Sequence, residues 1–110
     1  CVDDRRVRCP GAGQFVLVGV SADALWQALR GSFAARDGGQ GLARGPLLEV
    51  AANSLPELLQ LQTGEVLFAI DGRAVDRAAA RGFADDQVVL SVRDVRGGDR
   101  TVSVRLAPAE

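Results

Sequence analysis

The chain has no histidine, no methionine and no lysine, and its 110 residues include only two cysteines and one tryptophan. Each absence closes a class of chemistry. Without histidine there is no Ser-His-Asp triad, no histidine-based zinc site and no histidine pH switch within the chain. No apolar stretch reaches the ~20 residues that a bilayer-spanning helix needs, and no signal peptide is visible. The missing methionine is read as a mature product or an excised domain. Every one of the 13 basic residues is arginine, which, with the abundant Ala, Gly, Val and Leu, is read as a GC-rich coding bias. The net charge is −1, so no overall field recruits nucleic acid or an anionic membrane.

What remains is ordinary for a globular domain: 47% hydrophobic and 25% charged residues. The length fits one domain, which hides roughly two thirds of its unfolded surface and so supports one core. Residues 1–13 are charged and then Pro/Gly-rich, which predicts an N-terminal arm or linker, with 14–110 as the folded domain. Cys1 and Cys9 either close a small loop as a disulfide or stand as two thiols. No second role for the pair is visible, so the disulfide is the expectation, worth about 2–3 kcal/mol in an oxidising compartment. A lipid-modified Cys1 is a third reading. The pairs Asp3-Asp4 and Asp85-Asp86 are the candidates for carboxylate acid/base chemistry. Being adjacent and in turns or termini, they are read as solvated. Gly38, Gly39 and Gly41 lack the following Lys-Ser/Thr of a phosphate loop. No cofactor is expected.

Along the chain, Gln14–Val20 predicts a first strand. Ser21 offers a helix N-cap and Asp23 sits in the first turn, with Leu25, Ala28 and Leu29 on one face of a helix from Ala22 to about Arg30. Trp26 beside that stripe is expected to pack on a strand. Ser32 to Arg44 reads as an irregular loop. Leu47–Val50 begins a strand. Ser54 and Pro56 then predict a short helix whose Leu58, Leu59 and Leu61 are buried. Asp76 predicts the cap of a second helix, Arg77 to about Phe83. Val88–Arg93 and Thr101–Leu106 alternate as two strands of a hairpin around Arg96–Asp99.

The densest signal is Gly64–Gly72. It reads as a turn, a buried strand (Val66, Leu67, Phe68, Ile70) and a tight Asp71-Gly72 turn. With its context from Gly45 to Val75, this stretch resembles the middle of a PDZ domain of the bacterial type. In that family a strand, a small-residue turn and a short helix precede Gly-Asp-x-Ile-x-x-Ile-Asn-Gly-x-x-Val. Glu65 stands for the family's Asp, Val66-Leu67 for the apolar pair, Asp71 for Asn and Val75 for the closing apolar residue. The last two strands continue the match, so roughly the final two thirds of the chain is covered.

The resemblance implies an α+β, mainly β fold: a PDZ-like, partly open β-barrel or sandwich of five to six strands with two or three short helices. It implies a non-catalytic module that binds a peptide or protein segment, including a free C-terminus, by strand addition beside a short helix. Such modules occur in periplasmic or cell-envelope proteins of bacteria, among them proteases and secretion components. The alternative is a structural docking domain of a secretion-type assembly. Gly13–Leu17 falls on the family's carboxylate loop and strand. The implied peptide-binding residues are therefore Gln14, Phe15, Val16, Leu17 and Val18, with Ala78 and Arg81 opposite on the second helix. Two departures stand out: Val16 replaces a loop glycine, and the second helix is several residues short. No nucleic acid partner and no membrane insertion are expected.

Overall fold

Alternation builds the centre of the molecule. The computed structural model describes residues 3–80, 83 and 85–109. In strand β7 (Gln87–Arg93) the residues Val88, Leu90 and Val92 point inward, and in β8 (Asp99–Ala107) Val102 and Val104 do the same. Register puts Val88 opposite Val104 and Leu90 opposite Val102, so apolar side chains from both strands share one face. The connecting turn is tied by Asp94, whose Oδ1 accepts the backbone N–H groups of Arg96 and Gly98 at 2.8 and 2.9 Å.

Strand β5 (Val66–Ile70) pairs antiparallel with β7 on its other side. It ends in the Asp71-Gly72 turn, whose residues have φ of 52° and 77°, the left-handed pair that a tight hairpin requires. The short β6 (Arg73–Ala74) folds back on β5. Beyond β5 come β4 (Gly45–Leu48) and then β3 (Phe33–Gly38). On the far side, β2 (Gln14–Val18) runs parallel to β8, and β1 (Val7–Gly11) is antiparallel to β2. The result is a mixed open sheet in the order β1-β2-β8-β7-β5-β4-β3.

Two helices cover the core. Helix α1 (Ala22–Gly31) is capped by Ser21, whose Oγ accepts the Ala24 N–H at 3.1 Å, and it buries Leu25, Trp26 and Leu29. Helix α2 (Leu55–Leu58) is capped by Ser54, and Glu57 returns an acceptor to the Asn53 N–H at 3.0 Å. Leu58, Leu59 and Leu61 are buried. Glu65 is buried too. Its carboxylate accepts the Gln62 N–H at 2.6 Å and meets the Arg100 guanidinium at 2.9 Å, so the charge has both a hydrogen bond and a counterion.

The mainly β, α+β class holds, with eight strands among the described residues where five or six were expected. The added strands lie where local propensity is weakest. Residues 7–11, expected to be arm, form β1: a turn at Ala12-Gly13 folds them onto β2, and Val7 is buried. The expected loop from Ser32 to Arg44 contains β3 and a 3-10 turn, Gly41–Ala43. The expected helix from Arg77 to Phe83 is not formed among its described residues. Instead Asp76 makes a single turn, its Oδ1 accepting the Ala78 N–H at 2.9 Å and its carbonyl the Ala79 N–H at 3.2 Å, a local bond that competes with helix propagation.

Candidate functional site

An open sheet presents main-chain donors and acceptors only along its two outermost strands. Here, among the described residues, those strands are β1 and β3, and the two-residue β6, off the main order, is likewise paired on one side only. The residues expected to form the peptide-binding rim, Gln14 to Val18, are β2, which lies inside the sheet. Val16 and Leu17 are opposite Arg8 and Val7 on one side and Arg105 and Leu106 on the other. Phe15 and Leu17 are 3% and 0% exposed and belong to the core. A guest strand has no free edge to join at β2. The placement fails because β1, formed from the presumed arm, covers one edge and the C-terminal β8 covers the other. Of the residues expected to stand opposite, Ala78 sits in the turn after Asp76 and Arg81 lies outside the described residues.

The segment that carries Ala78 flanks β3 instead. Arg77 reaches across to that strand. Its Nη1 donates to the Ala34 carbonyl at 2.6 Å and its Nη2 to the Arg36 carbonyl at 3.0 Å. Nη2 and Nε also contact Asp37 Oδ1 at 2.6 and 3.0 Å. The guanidinium carbon lies 5.8 Å from the centre of the Phe33 ring, a cation–π distance. Ala34 and Arg36 are in phase with Ser32, whose carbonyl accepts the Glu49 N–H, so their carbonyls belong to the edge of the strand that faces β4. They fall where the β3–β4 register shifts, between Phe33 and Asp37.

Beneath this rim lies an aromatic cluster. Trp26 meets Phe33 edge-on at 6.0 Å and Phe83 at 6.4 Å, and its Nε1 donates to the Ala79 carbonyl at 3.3 Å. Trp26 thus packs on a strand residue, as expected, and also anchors the segment after Asp76. A cavity of about 640 Å³ opens beside it, between Trp26, Phe83 and the Asp71, Asp76 and Asp85 carboxylates.

Elsewhere the polar groups are structural. Asp4 pairs with Arg6 at 3.0 Å, and that hydrogen bond, with the Arg6 backbone N–H, holds its carboxyl below the usual aspartate range. Asp99 is lowered in the same way by Arg93. Cys9 is disulfide-bonded, and the chain's other cysteine, Cys1, lies outside the described residues. Among the described residues no group of three His, Cys, Asp or Glu could hold a metal ion, and no helix is long and apolar enough to cross a membrane.

The residues that sequence reasoning missed are Phe33, Ala34, Arg36, Asp37 and Arg77. One signal was present: Phe33–Gly38 and Leu47–Val50 flank a glycine-rich stretch, as two strands of a hairpin would. Comparison with protein-family models, with curated proteins and with solved structures gives no match for this chain.

Proposed function

We propose that this chain is a PDZ-like binding module of a bacterial envelope protein, without catalysis of its own, that takes up an extended segment at the β3 rim. The observation that carries the reading is the sheet order, in which β3 is an outermost strand and the segment of Arg77 touches it. That is the arrangement strand addition uses: main-chain pairing to an edge, beside a flanking wall. The Gly64–Gly72 motif supports it as well, since β5 and β6 are joined by the glycine turn on which the resemblance rests. The disulfide at Cys9 favours an oxidising compartment such as the periplasm. No part of the reading needs a cofactor.

A second reading, a structural docking domain of a secretion-type assembly, is favoured by one observation: Arg77 ties the segment after Asp76 to β3, so the neighbouring wall is fixed in place.

The test is an NMR titration of the ¹⁵N-labelled chain with a diverse library of peptides with free and blocked C-termini. Binding at the rim moves the amides of Phe33 to Gly38. Perturbation confined to other surfaces supports the docking reading, and a silent rim across the whole library sinks the peptide-binding one.

A further inference from the structure

We infer that the strand added at β3 is an acidic one, whose main chain pairs with Phe33 and Ala35 and one of whose carboxylates meets the Arg36 guanidinium; this rests on the peptide-binding reading above and names the chemistry of its guest. Ser32 sets the phase of the strand. Its carbonyl accepts the Glu49 N–H at 2.7 Å, so Ser32, Ala34 and Arg36 turn their main-chain groups toward β4. Phe33 and Ala35 turn theirs outward, where β3 has no strand beside it. In an antiparallel guest, the residue opposite Ala35 exchanges both main-chain hydrogen bonds with it. The next guest residue stands opposite Arg36 in the closer, non-hydrogen-bonded position, where facing side chains interact most directly.

Arg36 supplies an uncommitted charge at that position. It is exposed, and its guanidinium makes no hydrogen bond or ion pair among the described residues. The neighbouring carboxylate, Asp37, is already taken by Arg77 at 2.6 and 3.0 Å. The rest of the hairpin has the same sign. Residues 30–49 contain three arginines, all exposed, against the two carboxylates Asp37 and Glu49, and Arg77 adds a fourth cation beside Asp37. The chain as a whole has a net charge of −1, so this rim is a basic island in a slightly acidic molecule. A guest that brings carboxylates gains from that field, and a basic guest is repelled. The planar guanidinium fork also donates two parallel hydrogen bonds to a carboxylate, which selects an acid over its amide.

Because the pair forms in the open, its effect is modest. A carboxylate opposite Arg36 is expected to bind about threefold tighter than the matching amide at low salt, within the range of facing opposite charges in a sheet. Added salt screens the difference away.

The experiment takes the peptides of the titration above in three matched forms: with their Asp and Glu residues, with these replaced by Asn and Gln, and with these replaced by Lys. Each form is titrated into the unmodified chain, Arg36→Gln and Arg36→Glu at about 50 mM and about 500 mM NaCl, with the amides of Phe33 and Ala35 as reporters. Arg36 is exposed, so both variants keep the core, and unchanged amide spectra away from β3 verify it. On the unmodified chain the acidic form is expected to bind about threefold tighter than the amide form at the lower salt, and the two converge at the higher. Arg36→Gln removes the difference, and Arg36→Glu reverses it in favour of the Lys form. Peptides that bind at β3 with no preference for acid, or whose preference survives in Arg36→Gln, overturn the acidic guest and leave the binding reading standing. Peptides that bind none of the three proteins sink the binding reading and the acidic guest with it.

Discussion

The two rims of the sheet are held by different means. At one end β1, which carries the disulfide-bonded Cys9, is held by the burial of Val7 and by pairing to a strand that is itself paired on both sides. At the other end β3 is fastened to β4 through an irregular register, where two of its carbonyls accept from one arginine. One rim rests on its own strand's packing and pairing, the other on an irregular pairing braced by a side chain from a distant segment.

The comparison breaks most readily at the strand between β1 and β8. If β2 were a rim whose Leu17 lined a peptide pocket, Leu17→Ala would change affinity and leave stability nearly untouched. Because Leu17 is fully buried, the substitution should cost about 3–5 kcal/mol of unfolding free energy, as for other buried leucines. Urea unfolding followed by Trp26 fluorescence measures it, and a loss below about 1 kcal/mol would mean that β2 does not pack as described.

A smaller effect is expected at the turn that carries β3. Gly39 has φ of 77°, and an added Cβ there would run into the Ala43 carbonyl oxygen. Gly39→Ala combines left-handed strain with a backbone clash and should cost about 2–3 kcal/mol. Its local signature is faster amide exchange at Gly45 to Leu48, with β1 unchanged. The matching change at the other rim is Cys9→Ser. Loss of a short-loop disulfide should cost about 2 kcal/mol and loosen Val7 to Gly11 while leaving β3 protected. If either variant loosened both rims equally, the two ends would not be held independently.

These sites also show how far the residues alone reveal the structure. Local signals were sufficient where one short stretch contains its own reason: the Asp71-Gly72 turn, the alternation of Val88, Leu90 and Val92, and the Ser21 and Ser54 caps. They failed where the reason lies elsewhere in the chain. Nothing in Arg8-Cys9-Pro10-Gly11 marks a strand until β2 is there to pair with it. Phe33–Gly38 has no β-branched residue, so its strand character comes from β4. The alanines after Arg77 favour a helix locally, but Arg77 is drawn to β3, Trp26 holds Ala79, and the Asp76 side chain caps a turn. For the site, the strand at Gln14–Val18 was legible and its neighbours were not, because pairing with the C-terminal β8 spans nearly the whole sequence. That hidden neighbour moved the candidate edge from β2 to β3.

Acid provides the gentlest way to sharpen the contrast between the rims. Asp4 lies just before β1. Its carboxyl accepts from the Arg6 side chain and backbone N–H, and Arg6 also donates to the Asn53 carbonyl at 3.3 Å. Hydrogen bonding to the charged form lowers its pKa below the ordinary 3.8, which favours the ionised state in the folded chain. The sign follows by linkage. A group with a depressed folded pKa contributes stability that is present above its unfolded value and is lost as pH falls through the folded one. Lowering pH from about 5 to about 2 should therefore move the amides of Arg6 and Val7 with a midpoint below 3.8. The pair lies at the surface and is screened by solvent, so the effect on global unfolding should be small. An Arg6 amide that titrates at or above the ordinary aspartate value would show that the Asp4–Arg6 contact does not persist in solution, leaving Val7 and the pairing to β2 as the fastenings of that rim.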